Sequence, residues 1–210
     1  MRYFVELAYN GKPYHGWQNQ PNAISVQQVL EHALSTLVSD TISITGAGRT
    51  DAGVHASQMF AHFDTETVFS EENLVYRLNA FLPPDISIYS IFKVKPDAHA
   101  RFDAISRSYR YQISLEKNPF AIDFAYFFRA NLDVEAMNKA CDILFEYKDF
   151  QCFSKSNTDV KTYICTISKA HWKQEGTELH FEITADRFLR NMVRAIVGTM
   201  IEVGLGKISV

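Results

Sequence analysis

From Gly46 to Ala56 the chain reads Gly-Ala-Gly-Arg-Thr-Asp-Ala-Gly-Val-His-Ala, with three glycines, one arginine and one acid. Glycine admits positive φ and lets the backbone approach a ligand closely. This run is therefore expected to be neither regular helix nor well-packed strand. It reads as a shaped loop presenting Arg49 and Asp51 side by side. Whatever fold the chain takes must flank that loop with elements able to hold it.

The flanking patterns supply those elements. Tyr3, Val5, Leu7 and Tyr9 alternate as in a half-buried strand. A polar loop with His15-Gly16-Trp17-Gln18 follows. Ser25 and Gln28 have the spacing of a capping box, and apolar residues at helical spacing predict a helix over 25–38. A short strand, Thr41 to Thr45, leads into the loop, and Gln58 to Phe63 leads out. Ser70 is positioned to cap a second helix bearing Leu74, Val75, Leu78 and Phe81. Pro83-Pro84 ends it, and Ile86 to Val94 alternates as another strand. The order β-α-β-β-α-β is that of the split βαβ, ferredoxin-like unit.

A second half is expected from about Ala104. Ser108 to Leu115 alternates, with Tyr109, Tyr111, Ile113 and Leu115 on one face and Arg110, Gln112 and Ser114 on the other. Phe124 to Phe128 reads as an aromatic strand. Asp133 is positioned to cap a helix with Met137, Ala140, Cys141 and Leu144, and 148–161 is a polar connection. Tyr163 to Trp172 and Glu178 to Ala185 form a hairpin around Glu175-Gly176. A last helix is expected from about Phe188 to Val203. This half reads β-β-α-β-β-α and lacks a closing strand, an aggregation liability, so the chain is expected to be truncated at its C-terminus. The fold class is thus α+β, two ferredoxin-like halves (1–104 and 105–210) with largely antiparallel sheets and a cleft between them.

The 210 residues, 47% hydrophobic and 21% charged, suit an ordinary soluble protein. The net charge of −3 gives no global sign of nucleic acid, so any such site would be a local basic patch. Cys141, Cys152 and Cys165 show no Cys-x-x-Cys spacing, which suggests reduced thiols in a cytoplasmic protein. No apolar run is long enough to span a bilayer.

Several residues could carry chemistry. An arginine beside Asp51 favours the ionised carboxylate, which suits a nucleophile or electrostatic stabiliser. The competing reading is a turn in which Asp51 bonds its own backbone. As a phosphate cradle, Gly46-x-Gly48 lacks the rest of either known glycine fingerprint. Tyr109 beside Arg110 suits RNA, the ring stacking on a base and the arginine meeting phosphate, or else Tyr109 and Tyr111 are core. Arg187, Arg190 and Arg194 would line one face of the last helix, the first two opposing its dipole and so asking for an anion, unless the face is simply solvated. Arg101, Arg107 and Arg110 add positive charge near the junction of the halves. The histidines show no ligand spacing, and His55 is expected to bond backbone rather than metal.

Four segments together resemble the tRNA pseudouridine synthase A family over nearly the full length. They are Gly48 to Ala56, His15-Gly16-Trp17-Gln18-Asn19-Gln20, Ala100-Arg101-Phe102-Asp103-Ala104 continuing to Tyr109-Arg110-Tyr111, and Phe188 to Gly198. The resemblance implies that Asp51 is the nucleophile toward a target uridine, at ribose C1′ or base C6. It implies that Tyr109 stacks on the flipped base, that Arg194 pairs with Asp51 across the cleft, and that Arg49 extrudes the base or holds a phosphate. Arg101, Arg110 and Arg190 would bind substrate. Flipping costs a few kcal/mol, of which stacking could offset about 1–3 kcal/mol. The family needs no cofactor or metal, acts on the anticodon arm of tRNA around positions 38 to 40, and works as a homodimer in which one tRNA contacts both subunits. Its members usually continue past the late helix into a final strand, which agrees with the truncation expected from topology.

Overall fold

A computed structural model describes residues 1–156 and 160–210. Part of the polar connection expected over 148–161 lies outside the described residues. The chain divides into two compact units, Met1–Ala104 and Ile105–Val210.

In the first unit, strand β1 (Arg2–Tyr9) is followed by helix α1 (Val26–Val38), β2 (Ile44–Gly46), β3 (Ala56–Asp64), α2 (Glu71–Phe81) and β4 (Ile86–Lys93). The sheet order is β2-β3-β1-β4, antiparallel at every pairing. This is the split βαβ arrangement the periodicities predict. Tyr3, Val5, Leu7 and Tyr9 are buried on one face, with Val26, Leu30, Ala33 and Leu34 of α1 and Leu74 and Leu78 of α2 in the same core. Both helices begin as the sequence requires: the Gln28 N–H donates to Ser25 Oγ and the Asn73 N–H to Ser70 Oγ.

Two details differ from expectation. The strand over 41–45 is pared to Ile44–Gly46, and Gly46 belongs to it, paired with Ala61 and buried. Phe81 is 47% exposed and leans on His32 (centroids 6.0 Å apart) instead of joining the core.

In the second unit, β5 (Arg107–Ser114), β6 (Tyr126–Phe127), α3 (Val134–Ile143), a 3-10 turn (Gln151–Phe153), β7 (Ile167–Glu175), β8 (Glu178–Ala185) and α4 (Met192–Gly204) follow in order. The sheet order is β6-β5-β8-β7. Gly176 turns the β7–β8 hairpin with φ of 61°, and β8 runs antiparallel to β5 from Arg107↔Ala185 to Ser114↔Glu178. Leu179, Phe181, Ile183 and Ala185 share a core with Trp172, Ile113, Met137 and Ile196.

The aromatic strand expected over 124–128 is only two residues long and parallel to β5, pairing Ile113 with Tyr126 and Ser114 with Phe127. It stands at the sheet edge beside β5, for two residue pairs only. The last helix starts at Met192, not Phe188. Asn191 precedes it in the left-handed region (φ 69°), without a side-chain cap, and that conformation cannot continue a right-handed helix.

Candidate active site

The loop joining β2 to β3 is fixed at both ends by strand pairing and along its length by a second loop. That second loop, residues 10–24, leaves β1 and enters α1. The Trp17 N–H donates to the Thr50 carbonyl (3.2 Å) and the Gly53 N–H to the Tyr14 carbonyl (3.3 Å). The Gly11 N–H donates to His55 Nδ1 (3.1 Å), so His55 bonds backbone as expected. The hydroxyls of Tyr9 and Thr50 share a hydrogen bond of 2.9 Å. Within the 46–56 loop, the Val54 N–H donates to the Asp51 carbonyl (3.2 Å), closing a tight turn in which Gly53 supplies φ of 76°.

Close approach explains the glycines where the loops meet. A Cβ on Gly16 would lie 2.3 Å from the Thr50 carbonyl oxygen, and one on Gly11 would lie 2.0 Å from that of Val54. A Cβ on Gly46 would stand 2.5 Å from the buried Trp17 indole. The 10–24 loop is anchored in turn. Gly16 and Trp17 carbonyls accept from the Val26 and Gln27 N–H groups at the start of α1 (3.2 and 3.0 Å), using donors that a helix N-terminus leaves open. Tyr14 donates its hydroxyl to Asp85 Oδ1 at 2.7 Å.

Arg49 is exposed and Asp51 half-buried. Among the described residues they form no ion pair with each other, so adjacency in sequence does not become a salt bridge. Thr50 between them is bonded through both its hydroxyl and its carbonyl.

The segment carrying Arg101 is also built by the first unit. His99 Nδ1 accepts from the Arg101 and Phe102 N–H groups (3.1 and 3.3 Å), and Asp103 accepts from the His99 N–H (2.7 Å). The Ala100 N–H donates to His62 Nδ1 at 3.2 Å. The result is a closed turn with Arg101 and Phe102 on the outside. The spacing of His99 and Asp103 was the available sequence signal for it.

In the second unit, Tyr109 is half-buried and meets Phe188 edge-on, centroids 5.2 Å apart and planes at 86°. Tyr111 follows on the same face. Burial pushes its phenol up, Tyr126 adds to the push, and Arg194 opposes it, which puts the Arg194 charge near that ring. Arg110 lies on the other face of the sheet and is held by Glu182 (2.6 Å). Glu182 also accepts from Lys169, and the two cations bring its carboxyl down to about 2. Arg110 is thus set apart from Tyr109 by the strand's own alternation.

Arg187 and Arg190 precede α4, so the expected conflict with its dipole does not arise for them. Only Arg194 lies in the first turn, and no acid lies there. Arg190 and Arg194 are exposed. Among the described residues, no group of three or more His, Cys, Asp or Glu side chains is placed to hold a metal ion.

A family model described as tRNA pseudouridine synthase matches residues 7–103 and 146–210. A tRNA pseudouridine synthase A of Bacteroides thetaiotaomicron is 58% identical over 212 aligned residues, covering 100% of this chain and 79% of that protein. One from Parabacteroides distasonis is 54% identical, covering 100% and 83%. A more distant one, from Geobacter, is 41% identical over 97% of this chain and 83% of its own length.

Proposed function

From the premise that this chain belongs to the tRNA pseudouridine synthase A family, we propose that Asp51 is the nucleophile with which it isomerises uridines in the anticodon stem-loop of tRNA, around positions 38 to 40. The coarser activity, an isomerase making pseudouridine in tRNA, follows from membership itself. The observation that carries the finer reading is the environment of Asp51. It is a half-buried carboxylate with no ion pair among the described residues, in a loop whose backbone is bonded on both sides of it. A structural acid in a turn has no need of a second loop to brace it.

The chemistry is balanced without an added reactant. The Asp51 carboxylate adds to C1′ and releases uracil, or adds to C6 of the base. The N1–C1′ bond breaks, the uracil turns, and C5 bonds to C1′. The C5 proton is lost, N1 gains one, and the carboxylate is regenerated. Tyr109, held on edge by Phe188, is the stacking platform for the extruded base. Arg49, Arg101, Arg190 and Arg194 are assigned to charge neutralisation around the reacting nucleotide and its phosphates. The same reading has the protein act as a homodimer in the cytoplasm, with its three thiols free.

The test is Asp51→Asn. Tritium release from C5-tritiated uridine in tRNA should fall to background while tRNA affinity stays within about twofold, since the change removes charge but little volume. Full activity in this variant overturns the assignment.

A further inference from the structure

In the loop bearing Asp51, two hydrogen bonds from outside the loop converge on Thr50, the residue between the proposed nucleophile and Arg49. Its hydroxyl and its carbonyl are both taken. Its hydroxyl is bonded to Tyr9 at 2.9 Å, and its carbonyl accepts from the Trp17 N–H at 3.2 Å. Tyr9 is 4% exposed and Trp17 3%, so these bonds are little weakened by competing water. Tyr9 follows a register shift between Leu7 and Tyr9 in the β1–β3 pairing. Irregularities of this kind re-aim a side chain beside a functional site.

We propose that Thr50 is a positioning residue for the reaction and that Tyr9 and Trp17 set it. Holding the Thr50 carbonyl fixes the Thr50–Asp51 peptide plane, and holding its hydroxyl fixes the rotamer. Together they define where the Asp51 carboxylate starts before tRNA arrives. The three glycine contacts make the clamp stiff: Gly16 against Thr50, Gly11 against Val54, and Gly46 under the Trp17 indole. With no space for a side chain at any of them, the two loops cannot slide without breaking hydrogen bonds. This inference rests on Asp51 being the nucleophile. It adds that nucleophile geometry is supplied by a neighbouring loop through one threonine. Pre-organisation of this kind is worth most where reacting atoms must be held within fractions of an ångström.

The experiment compares Thr50→Val, Thr50→Ser, Tyr9→Phe and the Thr50→Val/Tyr9→Phe double variant. It uses single-turnover tritium release, steady-state kinetics and tRNA binding, all well below each variant's melting temperature. Thr50→Val and Tyr9→Phe should each lower kcat about 10- to 100-fold, with KM and tRNA affinity within about twofold. The double variant should be no worse than Thr50→Val alone, because both changes remove one shared hydrogen bond. Thr50→Ser, which keeps the hydroxyl, should recover most of the rate. Unchanged kcat in the single variants, a loss confined to KM, or losses that multiply in the double variant would each overturn the proposal. Asp51→Asn is run alongside. If it is inactive while Thr50→Val is not, only the positioning role fails. If it is active, the nucleophile assignment fails first.

Discussion

His62 is a residue whose ionisation the fold resists. It is buried on β3, its Nδ1 accepts the Ala100 N–H, and the His99 ring stands 4.5 Å away. Burial, then His99 and Arg2, push its pKa below the ordinary 6.5, against weaker pulls from Asp64 and Asp103. The unfolded chain therefore binds a proton that the folded chain refuses. The stability this contributes is present above pH 6.5 and is lost as pH falls below it. Denaturant midpoints should accordingly decline on acidification, and His62→Asn, which keeps an acceptor but does not titrate, should flatten that limb. An unchanged slope would show that other groups dominate. At this scale His55 was legible in the sequence, because a histidine in a glycine-rich loop without ligand spacing has backbone as its ordinary partner. The bonds of Thr50 to Tyr9 and Trp17 were not. They join polar residues far apart in the chain and leave no periodicity to read.

Two asparagines do parallel work at the level of elements. Asn79 on α2 donates to the Ile88 carbonyl and accepts from its N–H, both at 2.8 Å, on edge strand β4. Asn138 on α3 does the same for Trp172 on edge strand β7, at 3.0 and 2.8 Å. A carboxamide imitates the peptide of a missing strand and occupies groups that an edge would otherwise offer to another chain. Replacing either with Leu should cost about 1–3 kcal/mol, the range for leaving buried polar groups unmatched, read as a shift in urea midpoint at constant slope. A change within about 0.5 kcal/mol would mean that water satisfies the edge. Strands and helices with long regular periods were readable, as β1, α1 and the β7–β8 hairpin show. The start of α4 was not: Phe188, Leu189 and Arg190 fit a helical period, and only the left-handed Asn191 breaks it. β6 shrank because aromatic content signals strand propensity, while ladder length depends on what lies alongside.

Taken as a whole, the molecule carries a net charge of −3 and must still hold a polyanion. Its proposed RNA contacts are individual arginines, not a uniformly basic surface. Binding to tRNA should therefore weaken steeply with salt, and the slope should report the few phosphates neutralised. Arg101→Gln or Arg190→Gln should each lower the slope of log K against log salt by about one, as measured by filter binding. An unchanged slope removes that residue from the phosphate contacts. Each unit has its own core, and no described helix is long and apolar enough to cross a membrane. The ferredoxin-like order of the first unit followed directly from its periodicities. In the second unit the pairing of β6 with β5 did not, since two residue pairs leave almost no trace in a sequence. Gly11, Gly16 and Gly46 carry a consequence for protein engineering. The 46–56 loop is not a portable part: transplanted by itself into another scaffold, it would lose the surface that shapes it. The smallest piece that could be moved with its geometry intact is the pair of loops with Tyr9 and the first turn of α1.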